Sequence, residues 1–168
     1  MAFIAAAVLL APASASEGAA DDASGEFTAL TPARVLDTRT GNGRGGATTP
    51  LGENRWFDVQ ITGRGGVPST GVSAVVMNVT VTEPTRPSHL TVWPSGIAVP
   101  EISNLNYVPG QTVPNLVTVA LGASGRVSVL NRFGTTHVIF DVVGFYAGAD
   151  GQPGSRFHSI DPYRYFDT

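Results

Sequence analysis

Strand-length runs in which apolar and polar residues alternate are the feature that most limits what this chain can fold into. In the clearest run, VSAVVMNVTVT at residues 72–82, alternate apolar side chains share one face, namely Val75, Met77, Val79 and Val81. A period of two residues indicates a β-strand with one buried face. The runs are separated by Gly, Pro and Asn, and the chain has 20 Gly and 12 Pro in 168 residues. This punctuation is typical of an all-β protein with many turns.

The same pattern predicts eight strands, at 34–37, 55–62, 72–82, 90–93, 103–107, 116–121, 127–131 and 137–146. Two short connections, ASGR at 123–126 and NRFGTT at 131–136, predict tight turns, so that the last three strands form an antiparallel meander. No segment has the apolar spacing of an amphipathic helix. We therefore expect an all-β fold, either an antiparallel β-sandwich or a jelly-roll-like barrel.

The composition excludes several classes of protein. With 42% hydrophobic and 14% charged residues, the chain is too apolar for a disordered protein. Its net charge of −3 indicates no basic face, so we expect no nucleic-acid partner. Cysteine is absent, so the core has to stabilise the fold without a disulfide.

The first residues have the pattern of a secretory signal peptide. An apolar run at 2–10 precedes ASA at 13–15, a small-residue cleavage pattern. The run is shorter than the about 20 residues that cross a bilayer, so we expect no membrane span. We predict a signal peptide at 1–15, a disordered acidic leader at 16–26 and a secreted, cell-wall-associated protein. The positive region that usually begins a signal peptide is missing, which leaves the true N-terminus open.

A motif near the start of the chain returns near its end. FTALTPARVLDT at 27–38 matches FHSIDPYRYFDT at 157–168, and the residues that recur are Phe27, Pro32, Arg34, Asp37 and Thr38. The segment AGADGQPGS before the second copy has the composition of a linker. We predict a β module at 27–147, a linker at 148–156 and the start of a second, truncated module at 157–168. The second copy is expected to be either poorly ordered or docked on an exposed sheet edge as an added strand.

Several motifs of the module, taken in order, are similar to a known family. They cover nearly all of residues 27–147 and are LTPARVLDTRTG, GRGGVP, VSAVVMNVTVTEP, LTVWPSG, SNLNYVPGQTVPNLVTVAL, GRVSVLN and THVIFDVVGFYA. Together they resemble a tandem repeat module of secreted and cell-surface proteins of high-GC Gram-positive bacteria. The resemblance implies that the partners are adjacent repeat modules or a fused catalytic domain, often a cell-wall hydrolase or peptidase. It implies no reaction for the module itself.

The residue types that carry catalysis or bind metals are scattered. None of His89, His137 and His158 has a second histidine or a carboxylate at ligand spacing, so we expect no metal site and no cofactor. The chain also lacks the G-x-S-x-G motif of serine hydrolases. A glycosidase needs two carboxylates beside a cleft, and Asp37 and Asp141 are candidates for such a pair. Each has a simpler structural use, so we expect that the module is not an enzyme.

Asp141 indicates a structural ion pair. It lies in VIFDVVGFY, a strand that otherwise looks buried, and a buried carboxylate needs a partner. Arg39 and Arg34, in the first motif, are the obvious partners. We predict a structural polar bridge that ties the first motif to the last strand and consists of Asp37, Arg39, Asp141 and Asn78.

Aromatic and amide side chains in the strands indicate an alternative, ligand-binding role. Trp56, Trp93 and Tyr107 have flat apolar faces that suit sugar rings, although such residues usually belong to the core. Trp93 is expected to be the exposed one, because Pro94 follows it at the end of its strand. The asparagines either form a ladder of satisfied amides or line a rim that binds sugar or Ca²⁺. The candidate ligand-binding residues are Trp93, Tyr107, Asn104 and Asn106.

Three functions remain open at this point. The favoured one is a non-catalytic extracellular module that displays, spaces or attaches a partner domain at the cell wall. The second is a carbohydrate-binding module that recognises cell-wall or another polysaccharide. The most remote is an accessory part of a cell-wall hydrolase or peptidase.

Overall fold

The computed structural model describes residues 24–155, which fold almost entirely into β-strands. The predicted signal peptide at 1–15 and the second motif copy at 157–168 lie outside the described residues, as does most of the predicted leader. Within 24–155 the only helical element is a short 3₁₀ turn, Ala123–Gly125. No helix in this part of the chain is long and apolar enough to cross a membrane.

Eight strands follow one another along the chain, and they are β1 (Phe27–Asp37), β2 (Arg55–Gln60), β3 (Val72–Thr82), β4 (Ser88–Pro94), β5 (Leu105–Tyr107), β6 (Val113–Ala120), β7 (Arg126–Asn131) and β8 (His137–Ala147). Each overlaps one predicted strand. The largest difference is at β1, which was expected to begin only at residue 34. Its pairing with β8 shifts register between Ala29 and Ala33, around Pro32. Such a bulge accommodates a proline that has no N–H for the ladder, so the strand continues through a residue that usually ends one.

The strands form two four-stranded antiparallel sheets, in the orders β1-β8-β3-β6 and β2-β7-β4-β5. The pairing is nested: β1 pairs with β8, β2 with β7, β3 with β6 and β4 with β5. This order arises when one long hairpin rolls up so that β8 also meets β3 and β7 also meets β4. It is the strand order of a jelly roll, and the all-β prediction is confirmed.

The predicted meander of the last three strands is wrong. β7 lies in one sheet, whereas β6 and β8 both lie in the other, so the two short connections cross between sheets. In the first connection, Ser124 and Gly125 have left-handed backbone angles, with φ of 58° and 68°. A short turn only shows that two strands end near each other. Which strands pair is decided by partners far away in sequence, such as Asn78 of β3 opposite Leu116 of β6.

The core lies between the two sheets. The alternation predicted for β3 is confirmed, because its apolar side chains on one face are all 0% exposed, namely Val75, Met77, Val79 and Val81. The core also contains a buried amide, Asn131, whose Nδ2 donates to the main-chain oxygens of Leu51 and Gly134. Its Oδ1 accepts hydrogen bonds from Tyr107 and Ser88. Because every group of this amide is satisfied, it fixes the loops at that end of the core.

The segment that follows β8 turns back onto the start of β1. Phe27 and Ser155 exchange two main-chain hydrogen bonds, with N–O distances of 2.9 and 2.8 Å. Before them, the N–H of Gly25 donates to the oxygen of Ala147. The chain therefore enters and leaves the described sandwich at the same corner.

Candidate functional site

The outer face of the second sheet holds the best candidate for a binding site. Along β2, Phe57 and Val59 face the core, so Trp56 and Asp58 face outward. The register sets Trp56 beside Leu130 of β7, and Asp58 beside Ser128. We call this surface the Trp56 face; it consists of the outward side chains of β2, β7 and β4 and the loop at 95–104.

Trp56 is the exposed tryptophan of this face. It is 56% exposed, and its ring lies edge-on to Trp93, with ring centroids 6.2 Å apart and an interplanar angle of 60°. Tilted pairs of this kind are favourable and hold both rings in place. Trp56 thus exposes more than half of its surface to solvent while it packs against a second ring.

The expectation that Trp93 is the exposed tryptophan is wrong. Trp93 is only 3% exposed, because the loop at 95–104 folds back over it and its indole N–H donates to the main-chain oxygen of Ile97 at 3.2 Å. The far end of the loop is fixed by the Thr91 hydroxyl, which donates to the oxygen of Ile102 at 2.6 Å. A proline as the last residue of a strand therefore does not imply that the residue before it is exposed.

Two open clefts lie on the Trp56 face. The first, of about 510 Å³, is lined by Trp56 and Trp93 together with polar side chains from β2 and β7, namely Asp58, Ser128 and Arg126. Ser128 donates to Asp58 at 2.6 Å, and the Nε of Arg126 donates to Gln60 at 3.1 Å. The second cleft, of about 580 Å³, is lined by His89, Glu101 and Arg132 among others. An aromatic platform with a few convergent polar groups is the usual character of a small-molecule or sugar site.

The other three predicted ligand-binding residues line neither of these clefts. Tyr107 is 4% exposed, and its burial raises the pKa of the phenol. The side-chain oxygen of Asn104 accepts from the N–H of Val92 at 2.7 Å, so this residue extends the β4–β5 ladder. Asn106 is exposed and lies opposite His89, on β5. The strand asparagines were expected either to be satisfied by hydrogen bonds within the fold or to line a ligand-binding rim. The first interpretation describes both Asn104 and Asn131.

The predicted polar bridge contains three of its four residues in one network. Arg34 binds Asp141 through both carboxylate oxygens, at 2.8 and 3.1 Å, and its Nη1 also reaches Asp37 at 3.2 Å. Arg39 binds the other side of Asp37, at 3.0 and 2.8 Å, and adds its main-chain N–H at 3.0 Å. The link to Asp141 therefore runs through Arg34. Asn78 lies opposite Asp141 in the ladder, but its amide donates to Thr80 at 3.4 Å.

This network lies on the outer face of the first sheet, so the expectation that Asp141 is buried is wrong. Its side chain is 24% exposed, because it points outward between Phe140 and Val142, which face the core. Asp37, by contrast, has a side chain that is only 2% exposed. The hydrogen bonds from Arg39 hold the pKa of Asp37 down at about 2. A carboxylate so strongly held in its ionised form suits a structural role.

The alternation of residues in β2 does predict the exposure of Trp56. In RWFDVQ, the polar Asp58 shares a face with Trp56, whereas Phe57 and Val59 share the other. The alternation thus marks Trp56 as outward-facing. The burial of Trp93 under a loop has no comparable signal.

Comparisons with known proteins add no family: no protein-family model and no curated protein matches this chain. In the part of the chain that the structure describes, no three His, Asp or Glu side chains come together as a metal site. Because one fold supports many functions, the β-sandwich alone assigns none, and the Trp56 face is the feature that bears on function.

Proposed function

We propose that this chain is a non-catalytic extracellular module that binds a cell-surface polysaccharide through Trp56 and so attaches its partner domains to the cell wall. The observation that carries this proposal is the exposed ring of Trp56, which packs against the buried Trp93 and lines an open cleft with it. Trp56 is not an isolated exposed side chain, because the exposed Ile97 and Val99 line the same cleft, and a contiguous exposed apolar patch marks a binding surface.

The chemistry of the cleft matches a sugar in two respects. The face of the indole is flat and apolar, and the C–H groups on one face of a pyranose ring pack against such a surface. Beside it, Asp58 accepts and Arg126 donates hydrogen bonds, so both hydrogen-bonding roles of a sugar hydroxyl can be met. Both side chains are on β-strands, which hold them in fixed positions relative to Trp56.

The direct test is co-sedimentation of the protein with purified, insoluble cell-wall polysaccharide, with and without soluble fragments as competitors. Trp56→Ala should weaken binding by about 10- to 30-fold, the usual effect of removing a central aromatic contact. The matched control is Leu116→Ala, which removes a 62% exposed apolar side chain from the outer face of the other sheet and should leave binding unchanged. Wild-type protein that stays in the supernatant with every polysaccharide would refute the proposal.

The second candidate function is display of a partner domain without binding a sugar. Because Phe27 pairs with Ser155, both connections to the rest of a longer chain leave from one corner, which favours a module held beside the chain over one that lengthens it. A display module predicts resistance to proteolysis and no retention on polysaccharide for either the wild type or Trp56→Ala. The co-sedimentation experiment therefore separates the two functions.

A further inference from the structure

The two clefts of the Trp56 face follow one strand, β7. The first cleft is lined by Arg126 and Ser128 of this strand. The second is lined by Leu130 and by Arg132, the residue after next. Arg132 lies just beyond the end of β7, but its N–H donates to the main-chain oxygen of His89 at 3.2 Å, so it continues the ladder with β4. The clefts therefore lie end to end along β7.

The loop at 95–104 borders both clefts. Ile97 lines the first cleft, Ile102 lines the second, and Val99 lines both. All three side chains are exposed. The hydrogen bonds that Trp93 and Thr91 donate to this loop hold it against β4 at both ends. The two clefts are therefore halves of one groove that share a wall.

The groove is long enough for a chain of sugars. Arg126 and Arg132 stand six residues apart on an extended strand, and this spacing corresponds to about 20 Å at about 3.3 Å per residue. Trp56 lies beside Leu130, between the two arginines. A ligand that fills the whole groove is thus an oligosaccharide or a longer polymer, and a single sugar ring occupies only one cleft.

The charged groups of the groove are balanced in each half. Asp58 and Arg126 line the first cleft, and Glu101 and Arg132 line the second. A polyanionic chain, linked by phosphates or built from uronic acids, would meet a carboxylate in each half, and such like-charge contacts are costly. Uncharged hydroxyl groups, by contrast, can donate to the carboxylates and accept from the guanidinium groups. The charge pattern therefore favours a neutral ligand.

We propose that the groove binds an uncharged, linear polysaccharide lengthwise along β7, with some of its sugars on Trp56 and the next ones in the cleft of Glu101 and Arg132. This inference rests on the proposed function. It adds the class of polysaccharide and a second contact region, and both can fail while binding through Trp56 stands.

Calorimetric titration at about pH 8, where histidine is normally uncharged, tests the inference with neutral disaccharides and hexasaccharides prepared from the purified cell-wall polysaccharide. The hexasaccharide should bind the wild type about ten-fold more tightly than the disaccharide, because only the longer chain contacts both clefts. Arg132→Ala should weaken binding of the hexasaccharide about five-fold and so remove most of this advantage. Raising the salt concentration from about 0.05 M to about 0.5 M should change the affinity less than about two-fold, because screening weakens only interactions between charges.

The matched control is Arg86→Ala. Arg86, like Arg132, packs near the ring of Phe133, at 5.9 Å compared with 5.8 Å, but it lines neither cleft. This variant should bind both fragments as the wild type does.

Three results would overturn the inference. They are equal affinities of the wild type for the two fragments, equal effects of the two arginine variants, and a steep loss of affinity with salt. The proposed function would survive any of them if Trp56→Ala still weakened binding. A wild type that binds no fragment would overturn the proposed function as well.

Discussion

Replacement of Asp37 by asparagine tests whether the polar network at the end of β1 stabilises the fold through its charge. The side chain of Asp37 is 2% exposed and accepts hydrogen bonds from both Arg34 and Arg39. A pKa of about 2 in place of the ordinary 3.8 corresponds to about 2 kcal/mol of stability, at about 1.4 kcal/mol for each pH unit. Asp37→Asn keeps the size of the side chain and removes this contribution.

The pH dependence has a definite sign. Because the folded-state pKa of Asp37 lies below the unfolded value, its contribution is fully present above pH 3.8 and is lost as the pH falls toward about 2. The assay is urea unfolding at neutral pH and across this acid range. At neutral pH the variant should be about 2 kcal/mol less stable than the wild type, and this difference should shrink toward zero near about pH 2.

The matched control is Asp141→Asn, which removes a charge from the same network at a more exposed place. The side chains of Asp141 and Arg34 are 24% and 44% exposed, so solvent screens their ion pair and its loss should cost less than about 1 kcal/mol. An Asp37→Asn variant as stable as the wild type at neutral pH, or a difference that stays constant down to pH 2, would refute the reasoning.

Two further substitutions test the packing beneath the Trp56 face and at the end of the core, both by urea unfolding. Trp93→Ala should lower the free energy of unfolding by about 3–5 kcal/mol, because it leaves a cavity under the loop at 95–104. Trp56→Ala should lower it by less than about 1 kcal/mol, because that side chain is exposed. Equal losses in the two variants would contradict the assignment of Trp93 as buried and Trp56 as exposed. Asn131→Ala should cost about 3 kcal/mol because it leaves several buried groups without a partner, and the exposed Asn106→Ala serves as its control. A loss at Asn131 no larger than at Asn106 would show that the amide is not structural.

The sequence predicts the strands of this fold better than it predicts their pairing. Alternation in β3 identifies its buried face correctly, because the side chains that point into the core are a local property of the strand. The assignment of β7 to the opposite sheet from β6 and β8 depends on contacts between distant segments, which a turn sequence does not encode. Pro32 shows a third case, in which a bulge lets β1 pass through a residue that ordinarily ends a strand.

The features of the candidate site were likewise predicted only in part. Arg34 was among the expected partners of Asp141 because charge complementarity needs only residue types, and the two do form an ion pair. The burial of Trp93 was not predicted, since it depends on where the loop at 95–104 folds. Burial of an aromatic side chain by a loop is a tertiary property, and local pattern carries little information about it.

The chain contains two tryptophans, and this permits a direct measurement of the central claim. In a nitrogen–proton NMR spectrum, each indole N–H gives one signal, and a Trp56→Phe variant assigns them. Titration with soluble cell-wall polysaccharide fragments should shift the signal of the exposed Trp56 saturably, while the signal of Trp93, bonded to Ile97, should move much less. If neither signal moves with any fragment, or if the Trp93 signal moves and that of Trp56 does not, Trp56 is not the residue that binds the polysaccharide.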